Sequence, residues 1–228
     1  MDKDIDDVIK QETLRAVEVR QQIFSDKSIA EMTHIDDIKR IISESIEVKQ
    51  QILDDKSFVE RILKCADEMI QAFENNGKVL FCGNGGSASD AQHLAAELSG
   101  RFYIDRKPLY AEALHVNTSY LTAVANDYSY DIIYERMIEA TGRKNDILVG
   151  ISTSGNSENV CRAMQKAKEI GMHTIAFTGK DGGKMKDIAD ILINVPSKTT
   201  PRIQEAHIMI GHIICEIVEN TLFRSNIW

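Results

Sequence analysis

Cys82-Gly83-Asn84-Gly85-Gly86-Ser87-Ala88-Ser89-Asp90-Ala91-Gln92-His93-Leu94-Ala95-Ala96-Glu97 reads as the end of a strand, a glycine turn and the start of a helix. The run before it, Lys78 to Cys82, is short enough for a buried strand and is ended by glycines. From Ala91 to Leu98 the residues are good helix formers with apolar positions at helical spacing. Such a junction suits a phosphate, because glycine lets the backbone come close and the unpaired N–H groups of the first helical turn point at an anion. The same helix carries His93 and Glu97 four residues apart, on one face. An imidazole and a carboxylate so placed can share a metal or divide proton-transfer work. One short segment thus combines an anion site with a reactive pair.

Outward from this junction, the chain beyond Gly77 alternates short apolar strands with helices. Strands are expected at Val79–Cys82, Tyr110–Leu114, Ile147–Ile151, Thr174–Phe177 and Ile191–Val195. Helices are expected at Ser89–Gly100, Thr118–Ala125, Tyr130–Thr141, Ser157–Ile170 and Lys184–Ala189. The alternation predicts an α/β fold, a doubly wound parallel sheet of five strands with helices on both faces. Ligands of such sheets bind outside the carboxyl ends of the strands. Gly83 to Ser87 and Ser152 to Ser157 both follow strands directly, so both loops belong to that edge.

Upstream, residues 1 to about 75 are helical in character and carry no glycine or proline before Gly77. Val19-Arg20-Gln21-Gln22-Ile23-Phe24-Ser25-Asp26-Lys27-Ser28 is echoed 29 positions later by Val48-Lys49-Gln50-Gln51-Ile52-Leu53-Asp54-Asp55-Lys56-Ser57. Two copies are too few for a solenoid, and a duplicated helix–turn–helix appendage is the simpler reading. Apolar stripes in each copy (Leu14, Val17; Ile38, Ile42, Ile46) mark faces that pack within the chain or against a second subunit.

The composition is that of a globular protein, 43% hydrophobic and 27% charged over 228 residues. A net charge of −8 disfavours nucleic acid or an anionic membrane as a partner. No apolar run is long enough to span a bilayer, and the acidic start lacks a signal-peptide pattern, which points to a cytoplasmic protein. Cys65, Cys82, Cys161 and Cys215 have no paired spacing and read as reduced core residues.

Two further segments carry chemistry. Ser152-Thr153-Ser154-Gly155-Asn156-Ser157 sets four hydroxyls around a glycine between strand and helix. One hydroxyl would serve as an ordinary helix cap, whereas four make a neutral cradle for a phosphate monoester, with Ser87 from the other loop as a fifth contact. Neither loop has the G-K-[ST] of a nucleoside triphosphate site. If His93 and Glu97 hold a metal, further ligands are needed. The C-terminal helix offers Gln204, Glu205, His207 and His212, among which spacing alone favours His207 with Gln204.

Three blocks, Gly83 to Phe102, Gly150 to Ser157 and Arg202 to His212, occur in an order that resembles the bacterial phosphoheptose isomerases of the sugar isomerase (SIS) domain superfamily. The resemblance covers roughly residue 40 to the C-terminus. It implies a flavodoxin-like SIS domain over residues 36–228, preceded by an extra helical appendage over 1–35, and assembly as a homotetramer through the N-terminal helices. It assigns the metal ligands to His93, Glu97, Gln204 and His212, with His207 inside the motif but not a ligand, and zinc as the metal. The sugar phosphate would contact Asn84, Gly85, Gly86, Ser87, Glu97, Asn126, Asp127, Ser152, Thr153, Ser154, Ser157 and Gln204.

The implied reaction is the aldose–ketose isomerisation of sedoheptulose 7-phosphate to D-glycero-D-manno-heptose 7-phosphate, the entry to activated heptoses for lipopolysaccharide or capsule. An enediol route needs a base for a carbon-bound proton and an acid for the carbonyl oxygen, here Glu97 and His212. The rival reading is a non-enzymatic SIS module that senses sugar phosphates or binds the replication initiator. No basic helix–turn–helix supports a regulator, and a pure binding protein has no need of His93, Glu97, Gln204 and His212 together.

Overall fold

The computed structural model describes residues 2–224, and from 2 to 32 only the side chains of Gln11, Leu14, Arg15, Val17, Glu18, Val19, Gln21 and Gln22. The chain divides into two compact units, Met1–Ile46 and Glu47–Trp228. The first unit is a single stretch of helix α1 (Asp2–Asp54), with surface pairs such as Arg40 to Asp37 and Glu44 on its polar side. Ile35, Ile38, Ile42 and Ile46 are exposed along it.

This corrects the expected helix–turn–helix. The second repeat copy does break: Asp55 leaves the helical conformation and its carboxylate accepts the Phe58 N–H at 3.1 Å, capping α2 (Lys56–Glu74). The turn there is rewarded by burying Phe58, Ile62, Ala66 and Met69 in the core. In the first copy the matching Asp26 lies within α1. A cap is worth only about 1 kcal/mol and ends a helix where packing takes up the next segment. α1 also runs through position 35/36, where the appendage is expected to join the SIS domain.

The second unit is built on a parallel sheet of β1 (Val79–Gly83), β2 (Ala111–Ala113), β3 (Ile147–Ser152), β4 (His173–Thr178) and β5 (Ile191–Asn194), in the order β2-β1-β3-β4-β5. All five strands fall where the apolar runs predicted them. Their residues alternate between two cores, as parallel strands covered on both faces must. Val79, Phe81, Ile147, Val149, Ile175 and Phe177 join α2, α3 (Gly86–Ser99) and α7 (Thr200–Phe223) on one face. Leu80, Cys82, Leu148 and Ala176 join α4 (Thr118–Asp127), α5 (Ile133–Thr141) and α6 (Glu158–Ile170) on the other. All four cysteines are free and buried.

Two local readings change. Lys184–Ala189 is not an α-helix; the segment is a short 3-10 turn, Gly183–Asp187, entered through Gly182 and Gly183, both at positive φ. The helix expected at Thr118–Ala125 runs on to Asp127, so Asn126 and Asp127 form the last turn of α4.

Where the order reverses, β1 and β3 lie side by side, with Gly83 paired to Ile151. Doubly wound parallel sheets open a crevice at this switch point, and the glycine loop after β1 and the hydroxyl loop after β3 flank it.

Candidate active site

α3 brings His93 and Glu97 to one face, where His93 Nε2 lies 3.0 Å from Glu97 Oε1. α7 brings His212 against them, its Nε2 3.3 Å from that of His93. The helices come this close because position 211 is glycine: a Cβ there would meet the Leu94 methyl carbons of α3. The three ligand atoms lie within 4.8 Å of one another, and the side chains are partly open to solvent.

The donors fit a divalent metal. A single proton on His93 Nε2 cannot satisfy both neighbours: if it is donated to Glu97, the nitrogen has no lone pair for His212. With both rings as Nδ1–H tautomers, the three atoms each offer a lone pair to one point, which an ion between them would satisfy. Ligand bonds of about 2.0–2.1 Å around tetrahedral zinc put neighbouring ligand atoms about 3.3 Å apart, close to the spacings seen. Glu97 Oε2 makes no hydrogen bond to the described residues, so one carboxylate oxygen stays available.

His207, which spacing alone favoured, is elsewhere. It is fully buried, donates from Nε2 to the Thr178 carbonyl at 3.1 Å and packs against the Phe177 ring. Burial pushes its pKa down to about 4, so the ring is neutral. A stretch of α7 that places residue 212 towards α3 turns residue 207 towards β4. The Gln204 amide stands over Gly86, where a Cβ would run into it, at the start of α3 and two turns before His93.

The hydroxyl loop is not a helix cap. Ser157 precedes α6 yet makes no side-chain capping bond; its Oγ lies 2.9 Å from Ser152 Oγ, which is also 3.4 Å from Ser154 Oγ. α3 likewise starts at Gly85 without a side-chain cap, whereas α2 and α4 are capped by Asp55 and Asn117. The N-termini of α5 and α7 also lack a side-chain cap, but those of α3 and α6 are the ones at the switch point, and Ser87 and Ser152 are buried beside them. Thr153 and Ser154 face a cleft of about 290 Å³ shared with Lys180, Ser197 and Lys198. Asn126 and Asp127 are exposed and bonded to each other at 2.9 Å.

Sequence reasoning missed what holds the loops still. Asn84 and the buried Asn159 exchange amide hydrogen bonds of 2.9 and 3.0 Å across the switch point. Tyr130 donates to Asn84 Oδ1 at 3.1 Å, and Tyr134 donates to the Gly83 carbonyl. Asn84, expected to touch substrate, thus spends its side chain tying the glycine loop to α6. The hydroxyl loop is braced by the segment after β4: Gly179 N–H donates to the Thr153 carbonyl, Met185 N–H to the Gly155 carbonyl, and Lys184 N–H to Asn156 Oδ1, each at 3.0 Å. Gly155 sits at φ 66° with the Gly182 carbonyl where a Cβ would be, so no other residue fits. None of these partners had a local signal, except that Tyr130 and Tyr134 are one turn apart.

Comparison with known proteins gives the family. Residues 42–179 match the SIS domain family. A phosphoheptose isomerase of Clostridium acetobutylicum is 57% identical over 170 residues, 75% of this chain and 87% of that protein. One from Helicobacter pylori is 55% identical over 69% of this chain and 82% of its own length. Among solved structures, the phosphoheptose isomerase GmhA of Neisseria gonorrhoeae superposes with a TM-score of 0.76 at 45% identity, covering 81% of this chain and 98% of that one. The phosphoheptose isomerase of Francisella tularensis gives 0.78 at 37% identity, over 82% and 98%.

Proposed function

The chain belongs to the SIS domain family beside the phosphoheptose isomerases, and from that premise we propose that it is an isomerase interconverting sedoheptulose 7-phosphate and D-glycero-D-manno-heptose 7-phosphate in heptose biosynthesis. The observation that carries the reading is the convergence of His93, Glu97 and His212 between two helices on one face of a sheet whose switch point also holds an uncapped cradle of hydroxyls. A neutral cradle suits a phosphate monoester, and the trio, on the helix that leaves the glycine loop and the helix packed against it, would act on the other end of a bound sugar phosphate.

Ser87, Ser152, Thr153, Ser154 and Ser157, with the first-turn N–H groups of α3 and α6, would bind and orient the phosphate. Asn126, Asp127, Gly85, Gly86 and Gln204 are assigned to the sugar, and Asn84 to holding the loop. Glu97, with its unpaired Oε2, takes the proton from the carbon next to the carbonyl, and His212 holds the proton exchanged with the carbonyl oxygen. His93, Glu97 and His212, with Gln204 as a fourth ligand, would hold one zinc ion, which supplies Lewis-acid polarisation of the carbonyl and the adjacent hydroxyl.

We further assign this chain to a cytoplasmic homotetramer, with residues 1–35 as an added helical segment on a SIS domain of residues 36–228. No helix among the described residues is long and apolar enough to cross a membrane. Ile52, Leu53, Val59, Leu63, Met209 and Ile213 line an apolar groove of about 540 Å³, a surface suited to a second copy of the chain. Turnover of sedoheptulose 7-phosphate, measured with and without a chelator, tests the reading. No turnover by metal-replete protein would overturn it.

A further inference from the structure

Arg106 and Glu219 form an ion pair, Nε to Oε1 at 2.8 Å, whose side chains are 1% and 0% exposed. No role in binding or chemistry has been given to either. Glu219 lies seven residues after His212 on α7, hence on the same helix face. Its carboxylate accepts the N–H groups of Phe102, Tyr103 and Ile104 at 3.0, 2.7 and 3.0 Å, as well as the guanidinium. Arg106 directs its other donors to carbonyls: Nη1 to Leu98, Gly100 and Lys107, and Nη2 to Glu97 at 3.0 Å. Its guanidinium also lies over the Phe223 ring.

Two short routes lead from this pair to the reactive trio. Glu219 holds the Phe102 backbone, and the Phe102 ring packs against the His212 imidazole with centroids 5.7 Å apart. Arg106 holds the main chain of Glu97 itself. A staple needed only to pin residues 100–110 could bond any nearby carbonyl, but this one grips both helices that carry the trio. Taking a charge pair out of water costs enough that it persists only when well hydrogen-bonded, and here each Glu219 oxygen has two donors and every Arg106 nitrogen at least one acceptor. We propose that Arg106 and Glu219 are positioning residues that fix the spacing of Glu97 and His212, a role that rests on reading the trio as a metal site. Groups bonded behind metal ligands commonly change affinity 10–100-fold when altered.

The test uses the full chain with Arg106→Lys, which keeps the charge but loses the planar fork, and Glu219→Asp, which keeps the charge but withdraws it by one methylene. Zn²⁺ affinity of the metal-stripped proteins, measured by competition with a chromophoric chelator, should fall about 10–100-fold relative to the unsubstituted chain. In the metal-free proteins the ring NMR signals of His93 and His212 should shift and broaden, while those of His173, at the start of β4, stay in place. Variants that fold, bind Zn²⁺ as tightly as the unsubstituted chain and leave those signals unmoved would overturn the proposal. Weak Zn²⁺ binding by the unsubstituted chain would instead overturn the metal reading, and the ring signals would still decide the positioning role. Should Arg106→Lys not fold, Glu219→Asp carries the same two measurements.

Discussion

His212 Nε2 stands 3.3 Å from His93 Nε2, although the two residues are 119 positions apart and lie on different helices. The His93 Nε2 cannot serve both Glu97 and His212 with one proton, and with both rings as Nδ1–H tautomers the helix pair presents three acceptors to one point. The isolated His93–Glu97 pair on α3 would have been an unremarked surface hydrogen bond.

From this follows a metal content of about one zinc per chain, since two imidazoles and a carboxylate leave a fourth position for Gln204 or substrate. Elemental analysis of protein purified without chelator should find it. A His93→Ala, His212→Ala double variant that kept full metal content would contradict the site.

The hydroxyl cradle predicts a binding defect. Ser152 sits between Ser154 and Ser157, so Ser152→Ala with Ser154→Ala removes two donors and leaves the remaining hydroxyl less well oriented. Each hydrogen bond to a charged oxygen is worth about 1.5–3 kcal/mol, so KM should rise at least tenfold. Steady-state kinetics that gave an unchanged KM would return the loop to a purely structural role.

Glu97→Gln separates proton transfer from ligation. The amide still offers an oxygen to a metal but cannot accept a proton. If Glu97 is the base, kcat should drop about 10²–10⁴-fold in metal-replete protein while sugar phosphate still binds. Deuterium uptake from solvent into bound sugar at the wild-type rate would pass the proton to another group, with His212 the first suspect.

Acid stability should depend on His207. Its folded pKa lies below the unfolded value of 6.5, down at about 4, because burial disfavours the charged ring. Between those values the unfolded chain binds the extra proton, so stability falls as pH drops from 6.5 to 4, by about 3 kcal/mol in all, and is fully present above 6.5. His207→Gln keeps a donor for the Thr178 carbonyl and removes the titration. In metal-free protein, denaturant unfolding of this variant should therefore lose less stability over that range; an identical pH profile would show that His207 is not the sensor.

The central strands β1, β3 and β4 were legible because they are buried on both faces and so read as short apolar runs ended by polar or glycine residues. The two loops were legible because their chemistry is local: glycines and hydroxyls directly after strands. What escaped was either overridden or non-local. The cap signal at Asp26 is as good as that at Asp55, but α1 runs on through Asp26, whereas Asp55 leads into a segment that the core takes up. His207 and His212 differ only in which side of α7 meets α3, and this is set by Gly211 packing on Leu94 rather than by spacing. Asn84 and Asn159 are 75 positions apart and Arg106 and Glu219 are 113 apart; such pairings leave no pattern in a single sequence. The resemblance, not the periodicity, pointed to His212.

The reciprocal amide pair of Asn84 and Asn159 has an implication for how descendants of this chain can vary. Each amide supplies the donor and the acceptor that the other lacks, so changing one position alone strands a buried polar group at a cost of about 1–3 kcal/mol. The two sites are thereby locked into joint inheritance: drift at either is blocked until a compensating change arises at the other. Lineages that replace the pair should do so by correlated double exchange, with no long-lived single-substitution intermediates.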